Sequence, residues 1–71
     1  MVTIYGQAGC DFCVKAVALC QARKVPYEYK DIAGELQRLE FRKFFPEART
    51  VPQIMMGDLH IGGFTDLQRE I

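Results

Sequence analysis

Two cysteines three positions apart, Cys10 and Cys13, are the side chains here whose type and spacing could do redox chemistry. They follow an apolar, strand-like run from Val2 to Tyr5 and precede a helix-like run from Val14 to Arg23, so one thiol is expected at a helix N-terminus and the other a turn inside. The first-turn N–H groups of a helix lack intrahelical partners and form the positive end of its dipole, which favours a thiolate at Cys10. The thiolate is the reactive form of the sulfur, so a lowered pKa populates a nucleophile near neutral pH. Helical residues three apart lie about 5 to 6 Å from each other, within reach of a disulfide, and the pair can cycle between dithiol and disulfide. The competing readings are two inert buried thiols or a metal or cluster site. Two sulfurs with no further ligands nearby fall short of a four-coordinate zinc site.

Placing those sulfurs requires a scaffold, and the chain is patterned for one. Val2 to Tyr5 is β-branched and aromatic, and the loop Gly6 to Gly9 ends it with a glycine at either side of Gln7 and Ala8. Phe12, Ala16, Leu19 and Cys20, with Cys13 and Val17 one column over, recur at helical spacing, and Pro26 blocks continuation. Lys and Arg are expected in the last turn of that helix, against the negative end of its dipole. Tyr27 to Asp31 alternates with period two and is a second strand, completing a strand–helix–strand unit. Gly34 to Phe45 is a second helix whose apolar residues spread over more than one face, and Pro46 stops it. The run near Phe44 and Phe45 is expected to pack under that helix. Pro52 to Met56 is a third strand with proline at its first position, where a missing N–H is tolerated. Gly57-Asp58 is the signal of a type II′ hairpin into Leu59 to Ile61. After Gly62-Gly63, either Thr65 or Asp66 is expected to cap a short, frayed final helix reaching Ile71. The order is β-α-β-α-β-β-α, an α/β fold with a four-stranded mixed sheet flanked by helices.

Composition narrows the function. Seventy-one residues predict a single domain over 1–71. Nine acidic and nine basic side chains cancel, so no long-range field draws the protein to nucleic acid or anionic lipid. No apolar run approaches 18 residues and no charged-then-apolar leader opens the chain, which gives a cytoplasmic, monomeric protein as the expectation. An odd count of three cysteines fits a reactive pair plus one spare better than a secreted disulfide framework. The spare, Cys20, lies too far along the helix to pair with Cys13 and is expected in the core, as free cysteines usually are. His60 alternates within a strand and is expected to face solvent.

Three motifs in order, Cys10-x-x-Cys13, Thr50-Val51-Pro52 and Gly62-Gly63-Phe64-Thr65-Asp66, resemble the glutaredoxins, small glutathione-dependent oxidoreductases of the thioredoxin-like fold. The similarity runs from Val2 to about Glu70. The resemblance implies that Cys10 attacks a glutathione mixed disulfide and carries the glutathione until a second glutathione removes it. It makes Cys13 the resolving cysteine, which closes the Cys10–Cys13 disulfide when a protein disulfide is the substrate. It further implies that the main chain of Val51, before a proline that is cis in the family, pairs with the cysteinyl part of glutathione, with Thr50 and Pro52 beside it. Arg49 then takes the glycine carboxylate with parallel hydrogen bonds, Gly63, Thr65 and Asp66 hold the γ-glutamyl group, and Phe64 lines the groove.

This chain departs from the family pattern at three of these positions. Asp11 and Phe12 stand between the cysteines where Pro-Tyr is common, and Gln7 replaces a frequent lysine. Asp11 places a carboxylate beside the nucleophile, so the Cys10 thiol is expected to be less acidic than in proline-bearing relatives. Phe12 keeps only stacking, and the lost charge at Gln7 weakens the expected hold on glutathione. Two functions follow from the resemblance. One is a glutathione-disulfide oxidoreductase needing no metal, whose partners are glutathione, protein disulfides and glutathionylated proteins, ribonucleotide reductase among them. The alternative is a glutathione-assisted iron–sulfur cluster carrier.

Overall fold

Period-two alternation in the first strand decides how the layers assemble. In the computed structural model, which describes residues 1–71, β1 (Val2–Gly6) sends Val2 and Ile4 to one face of the sheet and Tyr5 to the other. Val2 and Ile4 are essentially inaccessible and meet Ala16, Cys20, Ile54 and Leu67 in the main core. Tyr5 packs instead with Phe41 and Phe45 in a smaller aromatic cluster. A strand buried on both faces belongs in the middle of a sheet, and the strand order is β2-β1-β3-β4.

The elements are β1, α1 (Asp11–Ala22), β2 (Tyr27–Asp31), α2 (Glu35–Phe44), β3 (Gln53–Met56), β4 (Leu59–Gly62) and α3 (Phe64–Glu70). β1 pairs in parallel with β2, Val2 opposite Tyr27, and antiparallel with β3, Ile4 opposite Ile54. β3 and β4 form the expected hairpin, Gly57 alone of its two turn residues taking a positive φ (60°). Ile54 faces Gly62 while Met55 faces His60, so Ile61 is the extra residue of a β-bulge. The mixed four-stranded thioredoxin-like fold is as the sequence implied, with α1 and α3 packing on the core of Val2 and Ile4, and α2 supplying Phe41 to the cluster around Tyr5. No helix is long and apolar enough to cross a membrane.

Several boundaries differ from expectation, each for a local reason. α1 begins directly after Cys10, as expected, but stops at Ala22, so no basic residue falls in its last turn. It closes in a Schellman arrangement: Val25 N–H bonds the Cys20 carbonyl (2.9 Å), Lys24 N–H bonds that of Gln21 (3.2 Å), and Lys24 sits at φ 57°. α3 is capped by Gly63 rather than by Thr65 or Asp66. Its end is not frayed: Arg23 Nη1 donates to the Ile71 carbonyl at 2.6 Å and Ile71 packs against the main core. Pro52 precedes β3 instead of opening it. Of the apolar residues of α2 only Phe41 is buried; Leu36, Leu39 and Phe44 face solvent, so Phe45 alone of the aromatic pair packs as expected.

Candidate active site

A helix start needs an acceptor at its N-cap, and here a sulfur serves. Cys10 has the extended φ and ψ of a cap (−100°, 108°), and its Sγ accepts the backbone N–H of Cys13 at 3.1 Å. The same N–H that caps the helix would stabilise negative charge on that sulfur. Cys10 and Cys13 form a disulfide, their Cα atoms 5.2 Å apart. Their exposures differ: Cys10 is half-buried, whereas Cys13 is 1 % exposed beneath α1. An incoming thiolate can therefore reach only the Cys10 sulfur, which leaves Cys13 as the leaving group. Cys20, the free thiol, is wholly buried, and burial pushes its pKa up.

The loop before β3 faces the disulfide. The Val51–Pro52 peptide is cis, and the Val51 carbonyl oxygen lies 3.6 Å from Cys10 Sγ. Gln53 braces this loop, its Nε2 donating to the Thr50 carbonyl (3.0 Å), while Gln53 Oε1 lies 2.8 Å from His60 Nε2. His60 is exposed, as expected, and also stacks on Phe45 with ring centroids 4.5 Å apart.

Two cavities abut along Thr50 and Val51. One, of about 560 Å³, runs from Gln7 and Cys10 to Arg42 and Arg49. The other, of about 200 Å³, is walled by Phe12, Pro52, Gly63, Phe64 and Thr65. Phe12 is 52 % exposed instead of lying on the core side of α1; it packs on Phe64 (5.8 Å between centroids) under the Lys15 ammonium (4.9 Å). Of the twelve residues singled out in sequence, eleven line these cavities or form the disulfide. Asp66 does not: one carboxylate oxygen accepts Gly63 N–H at 3.0 Å and the other pairs with Arg69. Arg42 is a lining residue that sequence reasoning missed, because the scattered apolar residues of α2 did not orient the helix.

A half-buried carboxylate holds α2 over the sheet. Glu40 Oε1 accepts both the Tyr5 hydroxyl and the Lys30 ammonium at 2.6 Å. Burial, then the Glu40 carboxylate, pushes the Tyr5 phenol up to about 12. Lys30 first and Tyr5 second hold Glu40 below the usual carboxylate range, and Glu40 in turn raises Lys30. Because α2 also carries Arg42, this contact fixes one wall of the larger cavity.

Comparison with known proteins gives a consistent result. The family model described as Glutaredoxin matches residues 2–61. Glutaredoxin 1 of Rickettsia prowazekii (strain Madrid E) is 38 % identical over 69 residues, covering 93 % of this chain and 72 % of the relative. Glutaredoxin 1 of Escherichia coli (strain K12) is 37 % identical over 70 residues, with 89 % and 82 % covered. The crystal structure of glutaredoxin 1 from Francisella tularensis superposes with a TM-score of 0.79 at 33 % identity, over 97 % of this chain and 88 % of that one.

Proposed function

Since the chain belongs to the glutaredoxin family of thiol–disulfide oxidoreductases, we propose that it is glutathione-dependent and reduces both glutathione mixed disulfides and protein disulfides. The observation that carries this reading is the position of the half-buried but accessible Cys10 sulfur where two cavities meet, one bearing two guanidinium groups and the other walled by aromatic rings and the start of α3. A tripeptide acidic at one end and zwitterionic at the other suits that trough. Arg49, joined by Arg42, takes the glycine carboxylate beside Gln7. The Val51 main chain pairs with the cysteinyl unit between Thr50 and Pro52, as an added short strand does. Phe12 and Phe64 flank the γ-glutamyl end, which Gly63 and Thr65 hold, joined by Asp66 when it exchanges Arg69 for the ligand ammonium.

The chemistry follows from the two exposures. The Cys10 thiolate attacks the sulfur of a glutathionylated protein; the old S–S bond breaks, the protein thiolate leaves, and glutathione remains on Cys10. A second glutathione thiolate attacks that glutathione sulfur, releasing glutathione disulfide and regenerating the Cys10 thiolate. With a protein disulfide, Cys10 is joined to the protein and the Cys13 thiolate attacks the Cys10 sulfur, expelling the protein thiolate and closing Cys10–Cys13. We read 1–71 as one domain acting as a cytoplasmic monomer on disulfide-bearing proteins, ribonucleotide reductase among them.

Turnover of a glutathionylated peptide and of a protein disulfide by Cys10→Ser and Cys13→Ser tests this. The first variant is expected to lose both activities and the second only the protein-disulfide one. Glutathionylated-peptide turnover surviving in Cys10→Ser overturns the assignment.

A further inference from the structure

Gly6 ends β1 beside the buried sulfur, and its missing side chain is occupied. A β-carbon built there would fall 2.6 Å from the Tyr29 hydroxyl oxygen and 2.8 Å from Cys13 Sγ, too close for either. The phenol oxygen and the sulfur thus share the space a side chain would fill, and the two distances place them at most about 5.4 Å apart. The other tyrosine facing α1 is engaged elsewhere, since Gln21 Nε2 donates to the Tyr27 hydroxyl at 3.0 Å, while the Tyr29 hydroxyl is bonded to no protein group. Tyr29 also borders a groove of about 380 Å³ between α1 and β2, lined by Cys13, Val14, Val17 and Ala18, which gives the phenol room to swing.

From this arrangement, and resting on the dithiol reading above, we infer that the Tyr29 hydroxyl serves the Cys13 sulfur when the disulfide opens and closes. A reductant thiolate attacks Cys10, the only accessible sulfur. A new S–S bond forms there, the Cys10–Cys13 bond breaks, and the electron pair departs on Cys13 into a site with 1 % exposure. With so little exposure the charge is poorly hydrated as it forms, and burial disfavours a thiolate. The Tyr29 O–H donates to it as it forms, and water then supplies the neutralising proton. In the reverse direction the same hydrogen bond favours the Cys13 thiolate that attacks a Cys10 mixed disulfide. The phenol remains a donor throughout, because burial and Asp31 raise its pKa.

The test is Tyr29→Phe, with disulfide opening by dithiothreitol and closure from a preformed Cys10 mixed disulfide measured at one pH. Opening by dithiothreitol does not depend on glutathione recognition, so a failure of the glutathione reading is seen separately, as wild type that opens normally yet does not turn over glutathionylated peptide. Both rates are expected to fall about five- to tenfold, the effect of losing a hydrogen bond to a partly charged group. In a Cys13→Ser background, where no sulfur leaves from position 13, the same substitution is expected to change turnover of glutathionylated peptide less than twofold. Unchanged opening and closure overturn the inference. An equal loss in the Cys13→Ser background also overturns it, because Tyr29 would then act through the fold as a whole.

Discussion

Glu40→Ala is expected to destabilise the fold through one atom of another strand. The Glu40 carboxylate is the acceptor for the Tyr5 hydroxyl, and Tyr5 is 3 % exposed in the middle strand. Truncation leaves that hydroxyl buried without a partner, at a cost of about 1–3 kcal/mol. It also removes the pairing with Lys30, which is partly solvated and contributes under about 1 kcal/mol. Helix propensity does not add to the loss, since alanine is a better helix former than glutamate. The sum is roughly 1–4 kcal/mol, a large fraction of the roughly 4–10 kcal/mol that a chain this size commands. Tyr5→Phe keeps the ring against Phe41 and Phe45 and removes the hydroxyl with its desolvation. Glu40→Ala made in that background should therefore cost under about 1 kcal/mol, a coupling of about 1–2 kcal/mol. Urea unfolding of the four proteins measures it from shifts in midpoint at constant slope. Equal costs in both backgrounds would refute the reasoning. The same quartet has a pH signature. A phenol raised to about 12 keeps its proton in the folded state while the unfolded chain releases it from 10.0 upward. Stability should then fall across that window by about 2–3 kcal/mol at 1.36 kcal/mol per unit, and Tyr5→Phe should flatten the decline. Raised Lys30 and Tyr29 contribute with the same sign. Lowered Glu40 acts at the other end: its contribution is lost as pH falls through the carboxylate range, a loss absent in Glu40→Ala.

Lys24→Gly should stabilise the protein by roughly 0.5–1 kcal/mol, since a side chain at φ 57° carries a left-handed penalty that glycine avoids; calorimetry should show a rise of several degrees in Tm, and a fall counts against the Schellman ending. Iodoacetamide added to the reduced native protein should label Cys10 first and Cys20 only after denaturant, because burial keeps the Cys20 thiol protonated; mass spectrometry of early adducts decides. Asp11→Pro removes a carboxylate beside Cys10 while suiting the first helical position, so the midpoint of alkylation against pH should move down; an unchanged midpoint excludes a role for that charge. Arg69→Ala frees one oxygen of Asp66, so KM for glutathione should fall about two- to threefold with stability changed by less than about 0.5 kcal/mol, since the arginine is largely exposed.

How far the fold was legible varied with the kind of signal. β1, β2 and the hairpin were readable because alternation and a glycine-first turn are local patterns. The start of α1 at Cys10 was readable from the cysteine spacing, but its end was not: a lysine took the left-handed position, where Gly is the usual marker. The cap of α3 was misread because Thr65 and Asp66 are both good cap residues, yet the backbone turns at Gly62 and Asp66 then serves from inside the first turn. For α2 the pattern located the helix but not its buried face. Four large apolar residues compete for one buried position, and Phe41 takes it by packing against Phe45 and against Tyr5 of a distant segment.

That selection is also why the candidate site was only partly readable. Cys10, Cys13 and the Thr50-Val51-Pro52 loop are marked by short motifs and lie together at the candidate site. The guanidinium end depends on which face of α2 turns inward, and that is set by Glu40 bonding Tyr5 and Lys30 across 35 and 10 residues. Gly6 shows the same logic at the buried end: as a residue in a strand ending it looked like punctuation, while in three dimensions it is the space in which a phenol approaches a sulfur. The motifs thus specify the reacting atoms, whereas the groups arranged around them depend on packing between segments distant in sequence.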